Sequence, residues 1–276
     1  MSNHRLLYLV LILASSVGLV CASETADASI TLQRPGTSSV IHTTASLAGA
    51  FTIHTVTIPD PVVGETRSYR GVAMRELMES VYGSRWHTLE ELLITCTDGY
   101  QPSLPVDELH RREAYLVFEP ADEKPFTFVK KSLTVPLGPF YLAWSDGKNT
   151  DAGVWSYQMT GIEPISFAQR FPKTAPPEGS DEIVYQGFKY FRHHCITCHK
   201  INGQGGDLSV ELNYPVSVTE YWKPEYLTRW LMDPASIRHG TRMPPAAPGD
   251  PNREERIKQV VAYLQAMASK KINPSD

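Results

Sequence analysis

Cysteine is scarce in this sequence, with four in 276 residues. That is too few to staple a chain of this length into a disulfide scaffold. An excess of one charge sign is missing as well, since 26 Lys and Arg stand against 30 Asp and Glu for a formal net charge of -4. A generally basic nucleic-acid binder is thereby excluded. There is no internal repeat and no low-complexity tract. Beyond the first residues, no apolar run reaches the ~20 needed to span a membrane. What the chain does have is 42% hydrophobic and 20% charged residues, enough to bury a real core. A usual domain runs ~100–200 residues, so the length predicts two.

Residues 1–22 open with MSNHR, continue through LLYLVLILASSVGLV and end at Cys21-Ala22. A short basic start, ~15 apolar residues and a Val20-x-Ala22 ending predict a signal peptide cleaved near Ala22. The expected location is then periplasmic or secreted. A retained anchor would want a longer run, and Gly18-Leu19-Val20 suits lipid attachment at Cys21 poorly. Cleavage leaves Cys96, Cys195 and Cys198, and no membrane span in the mature chain.

The remainder reads as two parts. Residues 46–170 read as an α+β domain, mostly short strands. Phe51–Ile58 alternates apolar and polar residues and stops at Pro59-Asp60-Pro61. Gly71–Tyr82 has helical spacing closed by Gly83, and its Met74 and Met78 read as core. Leu92–Cys96 is an apolar run halted by Asp98-Gly99. Ala114–Phe118, Ser132–Val135 and Val154–Met159 are expected as further strands. Residues 171–180 are polar and rich in proline, as in a semi-stiff linker. Beyond them the pattern is all-α. Ile183 to Phe191 form one apolar face, Pro224 opens a second helix ended by Asp233-Pro234, and Arg253–Met267 forms a third.

The chemistry is concentrated in Cys195-Ile196-Thr197-Cys198-His199. Two thiols three residues apart can each add to a vinyl group of one haem, and the adjacent histidine then meets the iron. A zinc site would need two further ligands at finger-like spacing, and only His193 and His194 lie close. A thioredoxin-like pair would follow a strand rather than an aromatic helix. A low-spin haem also needs a sixth ligand. Met243 is the expected one, because Pro244 and Pro245 stiffen the loop that would present its thioether. His193, His194 and His239 are the alternatives, whereas Met232 and Met267 sit in apolar helical patterns that suit packing. Tyr226, Trp230, Arg238 and Arg242 are expected to line the pocket.

On these residues the segment 181–270 resembles a class I mono-haem cytochrome c domain. The resemblance rests on the attachment motif, on Phe191 four residues and Gly187 eight residues before Cys195, and on the glycine-rich turn Asn202–Leu208. It implies that Gly187 packs against an aromatic of the last helix, Tyr263 being the natural partner. The family often places a proline in that turn whose carbonyl accepts the histidine ring N–H; here the nearest is Pro215. One covalent haem c, single-electron transfer and a redox partner protein follow as expectations.

The earlier segment resembles, more diffusely, the sulfite-oxidase-type molybdopterin oxidoreductase fold. Tyr69–Leu77, Thr97–Tyr100, Leu137–Trp144 and Trp155–Gln158 carry that likeness. It implies a molybdenum ligand near Cys96, but the arginine expected after it is replaced by Thr-Asp-Gly-Tyr-Gln. No cluster of basic donors for a pterin pyrophosphate is visible. Cys96 reads as a buried core residue and the domain as a cofactor-free relative. Three functions therefore stand side by side: an electron-relaying cytochrome with an accessory domain, a molybdenum enzyme fused to its cytochrome acceptor, and a haem sensor or ligand-binding module with an open or labile sixth position.

Overall fold

The computed structural model describes residues 27–130, 132–148 and 154–276. The predicted signal peptide, its cleavage site near Ala22 and Cys21 lie outside these residues. In chain order the first elements are β1 (Ser29–Leu32), β2 (Val40–Thr43), α1 (Thr44–Ala50), β3 (His54–Asp60), β4 (Glu65–Ala73), α2 (Met74–Tyr82), β5 (Glu91–Cys96), β6 (Ser103–Pro105) and α3 (Val106–Arg111). They continue as β7 (Ala114–Pro120), β8 (Thr127–Lys130), β9 (Leu133–Pro136), β10 (Tyr141–Trp144) and β11 (Met159–Ile165). After these come α4 (Phe167–Arg170), α5 (Glu182–His194), the short pair β12 (Lys200–Ile201) and β13 (Gln204–Gly205), α6 (Val218–Tyr221), α7 (Pro224–Met232), α8 (Pro234–Ile237) and α9 (Arg253–Ala268). The chain is thus strand-rich in its N-terminal part and helical in its C-terminal part.

Two sheets build the N-terminal region. One has the order β2-β1-β11-β5-β6 and the other β10-β7-β4-β3, with β8–β9 as a separate hairpin. β1 and β2 lie upstream of residue 46, yet belong to the first sheet, where β1 runs parallel to β11. β3 is an edge strand, so Pro59 sits in it without removing a donor that a neighbour needs. It begins at His54 rather than Phe51 and keeps the expected alternation, with Ile58 and Asp60 inward.

Two expected elements are shifted. The helix predicted from Gly71 starts at Met74, because Gly71, Val72 and Ala73 are paired with Val117, Leu116 and Tyr115 of β7. The apolar Val72 fits either reading, and the cross-strand ladder takes it. The strand predicted at Val154–Met159 is irregular until Met159, where β11 begins. Its polar backbone is still used: the Ser156 carbonyl accepts from Leu142 N–H at 2.8 Å and Val154 O from the Trp144 indole at 2.7 Å.

β5 separates two cores. Leu92, Ile94 and Cys96 point into the large N-terminal cluster, while Leu93, on the opposite face, joins Phe167, Phe171 and Phe191 in the C-terminal cluster. The period of two along a strand puts these side chains on different faces. In the C-terminal region α5 packs along α9, whose Ile257, Val260, Val261, Leu264 and Met267 are buried. Each such side chain contributes ~1.5–3 kcal/mol over exposure. Pro224 stands at the first turn of α7 and Asp233 ends it, as the sequence predicts. The segment 171–180 is not extended into solvent throughout: Phe171 and Thr174 are buried, and the Thr174 carbonyl accepts from the Tyr263 hydroxyl at 2.6 Å.

Candidate functional site

α5 delivers the attachment motif at its C-terminal end. Cys195 N–H donates to Phe191 O at 2.9 Å, continuing the helix for one residue. Cys198 N–H and His199 N–H then both donate to Cys195 O, at 3.1 and 2.9 Å. The five residues thus close into a compact turn. Gly206 N–H donates to Ile196 O at 2.7 Å and Ser209 N–H to Cys198 O at 2.8 Å, so the following loop folds back onto the motif.

His199 is oriented by the backbone. Its Nδ1 lies 2.8 Å from the Val210 carbonyl, and a carbonyl can only accept. Nδ1 therefore carries the proton and Nε2 is the ligating nitrogen. Burial holds this ring below the usual imidazole range, keeping it neutral as a ligand must be. The Val210 carbonyl takes the place of the proline carbonyl that the resemblance implies. Nothing in the sequence could point to Val210, since every residue has a carbonyl.

Val210 is in turn fixed by polar anchors close by. The Glu211 carboxylate accepts from the backbone N–H groups of Asn202, Gly203, Asn213 and Tyr214, at 2.8 to 3.1 Å. Asn202 and Asn213 are buried, and Asn213 Nδ2 donates to Asn202 Oδ1 at 2.9 Å and to Met267 O at 2.8 Å. Through these bonds the loop after the histidine is tied to the end of α9.

The helix crossing is set by Gly187. A Cβ there would stand 1.9 Å from Gln259 O and 2.9 Å from Tyr263 Cβ, so only glycine admits the close approach of α5 to α9. Phe191 and Tyr263 pack with ring centroids 5.1 Å apart. Tyr263 is thus the partner that the sequence predicts.

Met243 lies in an irregular loop pinned on three sides. Ala246 N–H donates to Leu231 O at 2.8 Å, Arg253 Nε to Ala246 O at 2.7 Å, and Ala247 N–H to the Tyr190 hydroxyl at 2.7 Å. Met243 itself packs against the same apolar cluster as Phe191 and Cys195. Its sulfur accepts from the Trp230 indole N–H at 2.9 Å. Of the other expected lining residues, Tyr226, Arg238 and Arg242 are exposed. His193, His194 and His239 are exposed, and Tyr190 packs on His194 with ring centroids 4.3 Å apart. Met267 is fully buried, as its helical spacing predicts.

Cys195 and Cys198 are free thiols. Burial pushes the Cys195 thiol up to about 12 and raises that of Cys198, so both are protonated at neutral pH. Two unpaired thiols, an oriented neutral imidazole and a nearby thioether form the donor set that a covalently attached haem requires. The residues present fit that group.

Cys96 has different surroundings. It is buried in the N-terminal core at the end of β5. Burial, and then the Asp98 carboxylate, push its thiol up to about 12. A metal ligand must be a thiolate, which a cationic neighbour favours and this setting opposes. At 4% exposure in the packed N-terminal cluster, Cys96 has the surroundings of a neutral core thiol.

Residues 184–264 match the family model described as Cytochrome C oxidase, cbb3-type, subunit III. A search of curated proteins finds no match. Over the matched residues the chain is similar to that family, which supports a cytochrome c domain carrying covalent haem c and transferring electrons to or from a redox partner. Among the described residues no helix is long and apolar enough to cross a membrane.

Proposed function

We propose that this chain is a periplasmic or secreted c-type cytochrome. It would relay single electrons through one haem that Cys195 and Cys198 would hold covalently and whose iron His199 and Met243 would bind. Residues 1–22 serve as its signal peptide, and 181–270 form the cytochrome domain. The segment 46–170, extended upstream by β1 and β2, is a cofactor-free accessory domain related to the sulfite-oxidase-type fold, which contacts the redox partner.

The bond from His199 Nδ1 to Val210 O carries this reading. It fixes the tautomer and leaves Nε2 as the ligating nitrogen, beside two free thiols. When bound, haem supplies a one-electron iron couple. The protein's own part is to hold the two ligands still, so that little rearrangement accompanies a change of oxidation state. The polar anchors around Glu211 hold the histidine side, and the bonds at Ala246 and Ala247 hold the methionine side. The Trp230 indole adds a donor to the Met243 sulfur, drawing electron density from the ligand.

The test is the visible spectrum and potential of the mature protein and of Met243→Ala. The unaltered chain should show one covalent haem and a methionine-to-iron band in the far red. Met243→Ala should keep the haem attached, lose that band and lower the potential. An unchanged spectrum in the variant would assign the sixth position to another residue. Metal analysis settles the molybdenum alternative, since molybdenum near one per haem would overturn the assignment of the accessory domain.

A further inference from the structure

The N-terminal region reaches the attachment motif directly. After β5 the chain turns tightly at Asp98–Gln101: Gly99 N–H donates to Cys96 O at 3.1 Å and Cys96 N–H to Tyr100 O at 3.1 Å. The outer side of this turn is hydrogen-bonded across to the cytochrome region. Gln101 N–H donates to Thr197 O at 2.9 Å, and Asp207 N–H donates to Gly99 O at 2.9 Å. Thr197 is one of the two residues between the cysteines, so the turn grips the segment that spaces the thiols.

The fit is close. Gly99 has φ +85, and a Cβ on it would lie 3.1 Å from both the carbonyl carbon and the Cβ of Asp207. The Tyr100 side chain lies beside that of Thr197, whose hydroxyl donates to His194 O at 3.2 Å. At the other end of β5, Arg192 of α5 pairs with Glu91 and, at 3.3 Å, with Glu90. One strand and its turn therefore run beside the attachment helix from Arg192 to the haem cysteines.

We infer that the turn Asp98–Gln101 is a built-in brace and cover for the haem-attachment loop, with Gly99, Tyr100 and Gln101 as positioning residues. It rests on the cytochrome reading above and adds to it. A group held by the Cys198 sulfur would have this turn beside its point of attachment, where it would limit access of water. Limiting water there disfavours the more highly charged oxidised iron and holds the potential up.

The experiment uses the full-length, haem-loaded protein and its Gly99→Val and Tyr100→Phe variants, with amide hydrogen exchange and the midpoint potential as readouts. Gly99→Val is strained at this φ and pushes Asp207 away. Exchange at the Gln101 and Asp207 amides should rise at least tenfold. The preference for reduced haem should fall by about tenfold, ~59 mV for one electron. Tyr100→Phe keeps the turn and removes only the hydroxyl, so it serves should Gly99→Val fail to fold; a shift of about threefold in the same direction is expected. Faster exchange with an unmoved potential would overturn the cover, leaving mere packing. Unchanged exchange in both variants would overturn the brace. A lack of covalent haem in the unaltered chain would instead be the failure of the functional reading, visible before any variant is made.

Discussion

In the N-terminal region, side chains meet side chains. Phe140, Tyr141, Leu142 and Trp144 are buried among the strands, and the hydroxyls of Tyr69 and Tyr141 both donate to the buried Asp60, at 2.6 and 3.0 Å. In the C-terminal region α9 alone contributes six of the buried apolar side chains, and the loops from Cys195 to Asn213 are held by backbone bonds and by Glu211, Asn202 and Asn213. The first arrangement packs its buried side chains directly against one another. The second spends its polar bonds on orienting Cys195, Cys198, His199 and the Met243 loop, and a small helical region of this kind gains its missing apolar contact from the cofactor.

The largest effect should come from removing the attachment thiols. In the double variant Cys195→Ala, Cys198→Ala covalent haem should be lost. Amide protection should then collapse in α5 and α9 while it persists in β4, β7 and β10, as hydrogen exchange would show. Loss of protection in both regions would break the contrast and show that the N-terminal sheets lean on the cytochrome. Next is Gly187→Val. The added side chain meets Gln259 O head-on, and separating α5 from α9 should cost about 3 kcal/mol. Urea unfolding followed through the haem band should detect it.

These two positions were also the ones most legible in the sequence. Cys195-x-x-Cys198-His199 states its chemistry by spacing, and Gly187 is eight residues before it on a face that periodicity defines. The helices α5, α7 and α9 were equally plain, because apolar spacing, Pro224 and Asp233-Pro234 mark their limits. The strands were less so. β1, β2, β8 and β10 have four residues each, too few for alternation to register, and their pairing is decided by distant partners. The hydrogen bonds that orient the site were invisible for another reason. Val210 O, Thr197 O and Gln101 N–H are backbone groups, so residue identity carries no trace of them. Trp230 could be placed near the pocket, but not its bond to the Met243 sulfur.

A smaller effect probes the N-terminal side of the contrast through pH. The Arg67 guanidinium, itself buried, makes a paired contact with Asp122 at 2.9 and 3.1 Å and holds its carboxyl at about 2. A depressed carboxyl contributes stability that is fully present above the unfolded value of ~3.9 and fades as pH falls toward its folded value. Asp122→Asn should cost about 2 kcal/mol at pH 7, because it leaves Arg67 buried beside a neutral partner. The difference from the unaltered chain should shrink between about pH 4 and pH 2. A constant difference over that range would mean that the pair contributes by shape rather than by charge. Equal losses in the helical region would show that the two cores unfold together.

The smallest effect falls on the residue that stands between the two regions. Cys96 ends β5 with its thiol in the N-terminal core, one strand face away from Leu93 in the other core. Cys96→Ser keeps the backbone bonds of the turn and changes only the buried atom, from a weakly polar sulfur to a hydroxyl with no water. That exchange should cost about 1–2 kcal/mol, borne by the N-terminal sheets, and leave haem attachment and potential as they were. The outcome discriminates because the neighbouring turn touches Thr197 through Gln101 N–H and not through Cys96. A potential that moved with Cys96→Ser would mean that β5 transmits strain from one core to the other. The two regions would then be a single mechanical unit around the haem, rather than a self-sufficient support and a cofactor-dependent partner.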